Sequence, residues 1–310
     1  MQPTATKKKW FKKEEISLHL MALPTVLWLI IFCYVPIFGL IMAFQELNIT
    51  TGIFGSKFVG LRNFEFLFAS TDAWVITRNT VCYNLVFIVI NMVLAVTTAL
   101  LLSELRSRLL AKSLQTIYML PYFLSWAVVM IVLSAFLHRD YGIVNKVFIS
   151  MGWQSGPVDY YQSRGLWPYL LVFINAWKGV GYQTVLYLAV ISGISGEYYE
   201  AAVLDGATKR QQAWYITIPH LRLVIGISII LAMGHIFRGD FGLFHVVTKD
   251  SGRIYPVTDV IDTYIYRALT KLSNVGMATA AGMYQSVVGF ALILFVNWVV
   301  NKIDPDSAMF

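Results

Sequence analysis

Lys178 stands as the one charge in an otherwise uncharged apolar stretch running from about Leu166 to Ser195. A charge kept inside such a stretch marks a ligand path by default. Asn175, Trp177, Tyr182, Gln183 and Tyr187 accompany it. At about 100° per residue, Asn175, Lys178 and Tyr182 share one helical face, with Gln183 and Tyr187 angularly close. The chemistry this supports is recognition rather than bond breaking. Amides and an ammonium satisfy hydroxyls, and aromatic rings cover the apolar faces of pyranoses, so the mixture suits a polyhydroxyl ligand. Tyr122 and Trp126 upstream, with His235, Arg238 and Asp240 downstream, are further candidates for the same path. A purely structural reading stands beside this one: Lys178 pairs with a helix-end carbonyl or a carboxylate, and the tyrosines sit in an interfacial belt.

Catalytic constellations are poorly represented. His138-Arg139-Asp140 and Asp259-Val260-Ile261-Asp262 are the nearest approaches, and neither has further partners nearby in sequence. No Gly-x-x-x-x-Gly-Lys-Ser/Thr phosphate loop occurs. The two cysteines, Cys33 and Cys82, lie in apolar runs and offer neither a disulfide framework nor metal-ligand spacing. The expectation is a chain with no catalytic residue, no metal and no cofactor of its own.

The elements that must hold these side chains are membrane helices. Of the 310 residues 57% are hydrophobic and only 13% charged, about half the charge of a typical soluble domain. Uncharged runs long enough to cross a bilayer cover Leu20–Phe44, Val81–Leu102, Ser113–Leu137 and Gly276–Val300. Leu166–Ser195 is interrupted only by Lys178, and a weaker run spans Pro219–Phe237. Pro36 and Pro121 fall inside two of these runs, where proline kinks a helix. The weaker run meets Arg238-Gly239-Asp240, which predicts a helix ending at a cavity rather than in lipid. Between Thr258 and Lys271, Val260, Ile261, Tyr264, Ile265 and Leu269 predict one face of an external amphipathic helix.

The formal net charge of +7 does not point to nucleic acid. Lys7, Lys8, Lys9, Lys12 and Lys13 directly precede the first apolar run, which reads as an uncleaved span. Such a flank orients a membrane protein and touches anionic lipid. Arg106, Arg108 and Lys112 crowd one short loop, and Lys209, Arg210 and Arg222 another. With both loops inside, both termini are cytoplasmic.

Residues 197–219 are unlike their surroundings. Glu197 and Glu200 lie where a helix N-terminus favours negative charge. Ala201, Ala202, Val203 and Leu204 propagate a short helix with a small surface. Asp205-Gly206 turns the chain, and Ala207 to Tyr215 restarts a helical pattern. Pro219 sits where a further helix begins. This is a helix-turn-helix elbow on the membrane surface.

The spacing of Glu200, Ala201, Ala202, Asp205, Gly206 and Ala207, followed by Trp214, Ile216 and Pro219, resembles the coupling loop of ABC-importer permeases with the MetI-like fold. Arg78-Asn79-Thr80 opens the second run as in that family, and the likeness covers about residues 74 to 300. Trp177 to Tyr182, Asp240 to Phe244 and Asp259 to Arg267 look like the carbohydrate-importer subgroup that includes complex-oligosaccharide and alginate permeases. Trp214 replaces the commoner Phe, Val224 stands where some relatives have a second Pro, and Asp250-Ser251-Gly252 replaces a Gly-Gly-Pro.

The resemblance implies an all-α integral membrane fold: six transmembrane helices, a MetI-like core and a cytoplasmic coupling helix. The expected organisation is a basic segment at 1–19, a first span with external loop at 20–73, the permease core at 74–301 and a tail at 302–310. The implied partners are a second permease, two ABC ATPase subunits carrying the ATP and Mg, and an external solute-binding protein, in a bacterial cell membrane with lipid around it. Glu200 to Ala207 would dock in an ATPase cleft. The competing classes are an integral-membrane glycosyl- or acyltransferase and a secondary transporter. The first lacks clustered catalytic groups, and the second would show internal repeats.

Overall fold

The computed structural model describes residues 13–48, 50–65, 69 and 71–303. The basic positions 1–12 and the tail from 304 lie outside the described residues.

The chain begins with α1 (Lys13–Leu29), which passes into a π turn at Ile30–Tyr34 and a 3-10 stretch at Val35–Phe44. Pro36 explains the change in winding: it lacks the N–H that an α-turn would use. Strands β1 (Gln45–Glu46) and β2 (Lys57–Phe58) form a small antiparallel pair. Then follow α2 (Thr71–Ser103), α3 (Arg108–Met119), a 3-10 turn at Leu120–Phe123, and α4 (Trp126–Leu137). After α5 (Ile143–Ser150) comes α6 (Trp167–Ser192), and the elbow opens with α7 (Gly196–Leu204) and α8 (Lys209–Gln212). The chain closes with α9 (Ile218–Met233), α10 (Ile261–Thr270) and α11 (Val275–Ile303).

Among the described residues four helical stretches are long and apolar enough to cross a membrane: Ser17–Phe44, Thr71–Ser103, Lys209–Met233 and Val275–Lys302. The expected span over Ser113–Leu137, with Pro121 inside it, is a sharply bent pair, α3 and α4 meeting at 97°. Pro121 starts the break, Leu124 is extended, and the Ser125 hydroxyl accepts from Val128 N at 3.3 Å to begin α4 afresh. Counted as one, the pair makes five. The remaining expected span, α6, has 26 residues and is not among those four; Asn175, Lys178 and Gln183 interrupt its apolar sequence. It lies against α2 and α3 rather than alone in lipid.

A buried core packed against α4 locks the bent pair in place. Tyr83 and Phe87 of α2 surround Phe244, whose ring meets that of Tyr83 edge-on at 5.1 Å. Trp167 and Leu171 of α6 and Val129 of α4 complete it, all buried. The predicted external helix is α10, but its inward face is Ile261, Tyr264, Ile265 and Ala268. Leu269, expected inward, is exposed. The i, i+3, i+4, i+7 rule fixes the choice once Ile261 is buried.

Candidate functional site

The elbow has defined ends. The Ser195 hydroxyl accepts from Glu197 N at the start of α7. At its end Gly206 takes φ +79°, and Ala207 N donates to Ala202 O at 2.8 Å. An L side chain at such a φ is strained by about 1–2 kcal/mol, although a Cβ on Gly206 would meet nothing within 4 Å. Thr208 caps α8 reciprocally with Gln211. Beneath the turn, the 98% buried Gln212 donates to Ala207 O at 3.2 Å.

The elbow does not end before Pro219. A π turn at Ala213–Thr217 carries α8 straight into α9, with Ile218 N bonded to Ala213 O. The wider winding accommodates the proline, whose missing N–H would otherwise leave a gap in the ladder. Trp214 and Pro219 therefore lie on one continuous helix that becomes a membrane span.

The elbow presents apolar side chains with no cover. Leu204 is 88% and Tyr215 80% exposed, and Tyr198, Val203 and Trp214 are exposed too. Glu200, Ala201, Asp205 and Gly206 lie on the same exposed surface, with Ala202 and Ala207 half-buried.

The path candidates separate into two groups. Asn175, Tyr182, Gln183, Tyr187, His235, Arg238 and Asp240 line one open cavity of about 680 Å³ between α2, α6 and α9. The wall opposite α6 is unwound backbone. Helix α9 stops at Met233, and residues 234–240 run on without regular structure. Their carbonyls are satisfied from neighbouring helices. Asn84 donates to Ile236 O at 2.8 Å and Arg238 O at 3.0 Å, and Gln285 to Phe237 O at 2.6 Å. Irregular backbone at this depth is tolerated where it lines a cavity. Asp240 accepts from Gly242 N and Leu243 N, starting the next helical turn.

Lys178, Tyr122 and Trp126 form the other group and are not among the cavity-lining residues. The Lys178 ammonium donates to the carbonyls of Pro121 (3.3 Å), Tyr122 (2.7 Å) and Leu124 (2.5 Å). It also lies 5.1 Å from the Trp126 ring centroid and 5.7 Å from that of Tyr122. Tyr122 in turn stacks on Tyr182 at 4.6 Å, which connects the bend to the cavity wall.

Sequence reasoning missed Asn84, Asn91 and Ser228, which line the cavity as well. The signal was present: two asparagines seven residues apart in the uncharged run Val81–Leu102. Asn91 is 91% buried; its Nδ2 donates to Asn175 Oδ1 at 2.8 Å, while its own Oδ1 has no partner among the described residues. A buried acceptor without a donor is costly, and this one borders the cavity. No group of three or more His, Cys, Asp or Glu able to hold a metal occurs among the described residues.

Outside the spans, Asp250 organises the segment after the cavity. It accepts from Tyr255 Oη at 2.8 Å and from Lys271, lies 3.5 Å from Arg267, and its Oδ1 is 3.6 Å from His245 Nδ1. Burial pushes its carboxyl up, but the hydrogen bonds from Lys271 and Tyr255 and the charges of Lys271 and Arg267 together hold it below the usual value.

Comparison with known proteins accounts for this arrangement. Residues 91–305 match the family model of the binding-protein-dependent transport system inner membrane component. The polygalacturonan/rhamnogalacturonan transport system permease protein YteP of Bacillus subtilis is 31% identical over 94% of this chain and 89% of its own. The trehalose/maltose permease MalF of Thermococcus litoralis is 27% identical over 98% of each. Among solved structures, a bacterial ABC transporter involved in import of the acidic polysaccharide alginate superposes with a TM-score of 0.84 at 30% identity, over 94% of this chain and 97% of that one. A bacterial alginate ABC transporter in complex with an alginate pentasaccharide-bound periplasmic protein superposes with a TM-score of 0.83 at 30% identity, over 94% of this chain and 96% of that one. The chain belongs to the inner-membrane components of binding-protein-dependent transport systems, non-catalytic permease subunits of ABC transporters.

Proposed function

We propose that this chain forms half of the translocation path of an ATP-driven importer for a carbohydrate, an oligosaccharide, with an acidic sugar favoured. The observation that carries this reading is the cavity. Asn84, Asn91, Asn175 and Gln183 offer planar amides, Tyr182 and Tyr187 offer rings, and Arg238 offers a guanidinium. Among the described residues Arg238 has no carboxylate at ion-pair distance; it shares its field with Asp262 and is the cation that would face a uronate in this cavity. The names of the relatives, acidic polysaccharides among them, agree with that chemistry.

In this reading the elbow is the contact with the energy source. Leu204, Trp214 and Tyr215 enter a groove of an ATPase subunit, and Glu200 to Ala207 take up its motion. ATP and Mg belong to those subunits. A second permease completes the path, and a solute-binding protein delivers the ligand to the outer face. The elbow and both termini are cytoplasmic, in a bacterial cell membrane.

The test is uptake by the assembled importer in proteoliposomes, offered a panel of labelled oligogalacturonides, alginate oligomers and maltodextrins. ATP-dependent accumulation of at least one glycan is the expected result. Transport of amino acids or metal ions, with no glycan carried, would sink the substrate class while leaving the family assignment intact.

A further inference from the structure

A second cavity opens beneath the elbow, and the transport reading leaves it without a role. It encloses about 770 Å³ between the end of α2, the start of α3, the end of α6 and the root of the elbow. Arg106, Arg108, Lys112 and Lys209 stand around it with one carboxylate, Glu104. That carboxylate is engaged: Lys209 Nζ lies 3.0 Å from Glu104 Oε2. Among the described residues Arg106, Arg108 and Lys112 have no carboxylate at ion-pair distance.

Three uncompensated cations within seven positions repel one another, and an anion among them relieves that repulsion. The floor of the hollow is apolar, built by Leu188 and Ile191 of α6. The outward-facing Leu101, Leu109 and Leu110 continue an apolar surface beside it. A cationic rim over an apolar floor suits a phosphate joined to hydrocarbon. Free phosphate has no use for the floor, and an acidic protein surface meets an open ridge more readily than a hollow. Basic pockets between membrane helices on the cytoplasmic side recognise such headgroups.

We propose that this hollow binds the headgroup of an anionic phospholipid in the leaflet facing the elbow. The choice of leaflet rests on the elbow being cytoplasmic, as proposed above. The lipid bridges the α2–α3 connection to Lys209, and so stabilises the root of the elbow against its neighbours.

The experiment is native mass spectrometry of the full-length chain released from an uncharged detergent, titrated with phosphatidylglycerol, phosphatidylcholine or inorganic phosphate. Wild type retains phosphatidylglycerol in preference to phosphatidylcholine. Arg106→Gln/Arg108→Gln/Lys112→Gln loses that preference by on the order of a hundredfold, since each of the three cations near an anionic headgroup contributes roughly fivefold. Arg106→Lys/Arg108→Lys keeps it, which separates lost charge from lost folding. Arg139→Gln/Lys146→Gln, on the external segment, also keeps it. Equal retention by the triple variant overturns the proposal. Complete displacement by millimolar inorganic phosphate assigns the site to a soluble anion instead and overturns the lipid. None of these readouts depends on uptake, so the transport reading stands or falls separately.

Discussion

The Lys178 ammonium of α6 and the carbonyl of Tyr122, 2.7 Å apart, join the middle of one helix to the broken end of another. Pro121 and Leu124 supply two more carbonyls to the same ammonium. A cation at a helix C-terminus is favourable both as hydrogen-bond donor and as counter to the dipole. Here it holds a 97° bend.

Replacing Lys178 by Met therefore acts first on the bend. Three carbonyls lose their donor, at a cost of about 1–3 kcal/mol. The thermal midpoint of the detergent-solubilised chain should fall, and Lys178→Arg should recover part of the loss. An unchanged midpoint for Lys178→Met would refute the structural role and return the residue to the list of ligand contacts.

Gly206 gives a test of the elbow that leaves the membrane core alone. Gly206→Asn keeps access to the left-handed region and should retain most uptake. Gly206→Val should lose about 1–2 kcal/mol locally and most coupling, and Gly206→Pro all of it. Immunoblotting of membranes should find all three inserted at wild-type levels. Full uptake by Gly206→Pro would remove the elbow from the mechanism.

Asn91 is the sharpest single probe of the cavity. Asn91→Leu removes the unpartnered acceptor and the bond to Asn175, and should lower maximal glycan uptake severalfold with basal ATP hydrolysis unchanged. Asn91→Asp places a second carboxylate near Asp240 and should penalise acidic glycans more than neutral ones. Equal uptake of both classes by Asn91→Asp would exclude ligand passage at this wall.

Asp250 predicts a pH dependence with a definite sign. Its carboxyl titrates below the ordinary 3.8 in the folded chain. A carboxyl depressed by folding stabilises above its unfolded value, and that contribution disappears as pH falls through the folded value. The thermal midpoint of wild type minus that of Asp250→Asn should be positive and flat above about pH 5, and should shrink below about pH 4. Burial, only partly offset by Arg267, raises Asp259 instead, and the charge of Asp250 adds to that rise, so Asp250→Asn relaxes Asp259 too and the comparison is made with Asp259→Asn in both backgrounds. A difference that grows on acidification would contradict the assignment.

The elbow was legible because its signals are local: a cap, an Asp-Gly turn and alanines where lipid-facing residues would be expected. The end of α9 at a cavity was legible for the same reason, since glycines and charges interrupt a hydrophobic pattern. At the junction of α3 and α4 Pro121 announced a kink, but not a complete break of 97°. Ser125 vanishes when hydropathy is averaged over a span, and the break depends on donors from α6. Lys178 was visible as a charge, but its partners are backbone carbonyls, which no residue type encodes. Asn84 and Asn91 were readable in principle; uncharged side chains on an apolar helix are easily taken for filler. Leu269 went to the wrong side because Ala268, small enough for close packing, takes the inward position.

The unbroken winding from α8 through the π turn into α9 has a mechanical consequence. Lys209 to Met233 is a single 25-residue rod, about 37 Å from end to end. One end sits at the exposed turn and the other adjoins the unwound wall bearing His235 and Arg238. In the coupling proposed above, this rod would act as a crank: torque applied at the turn would reach the wall through five π-wound residues, and lengthening or relaxing that one joint would detune the stroke.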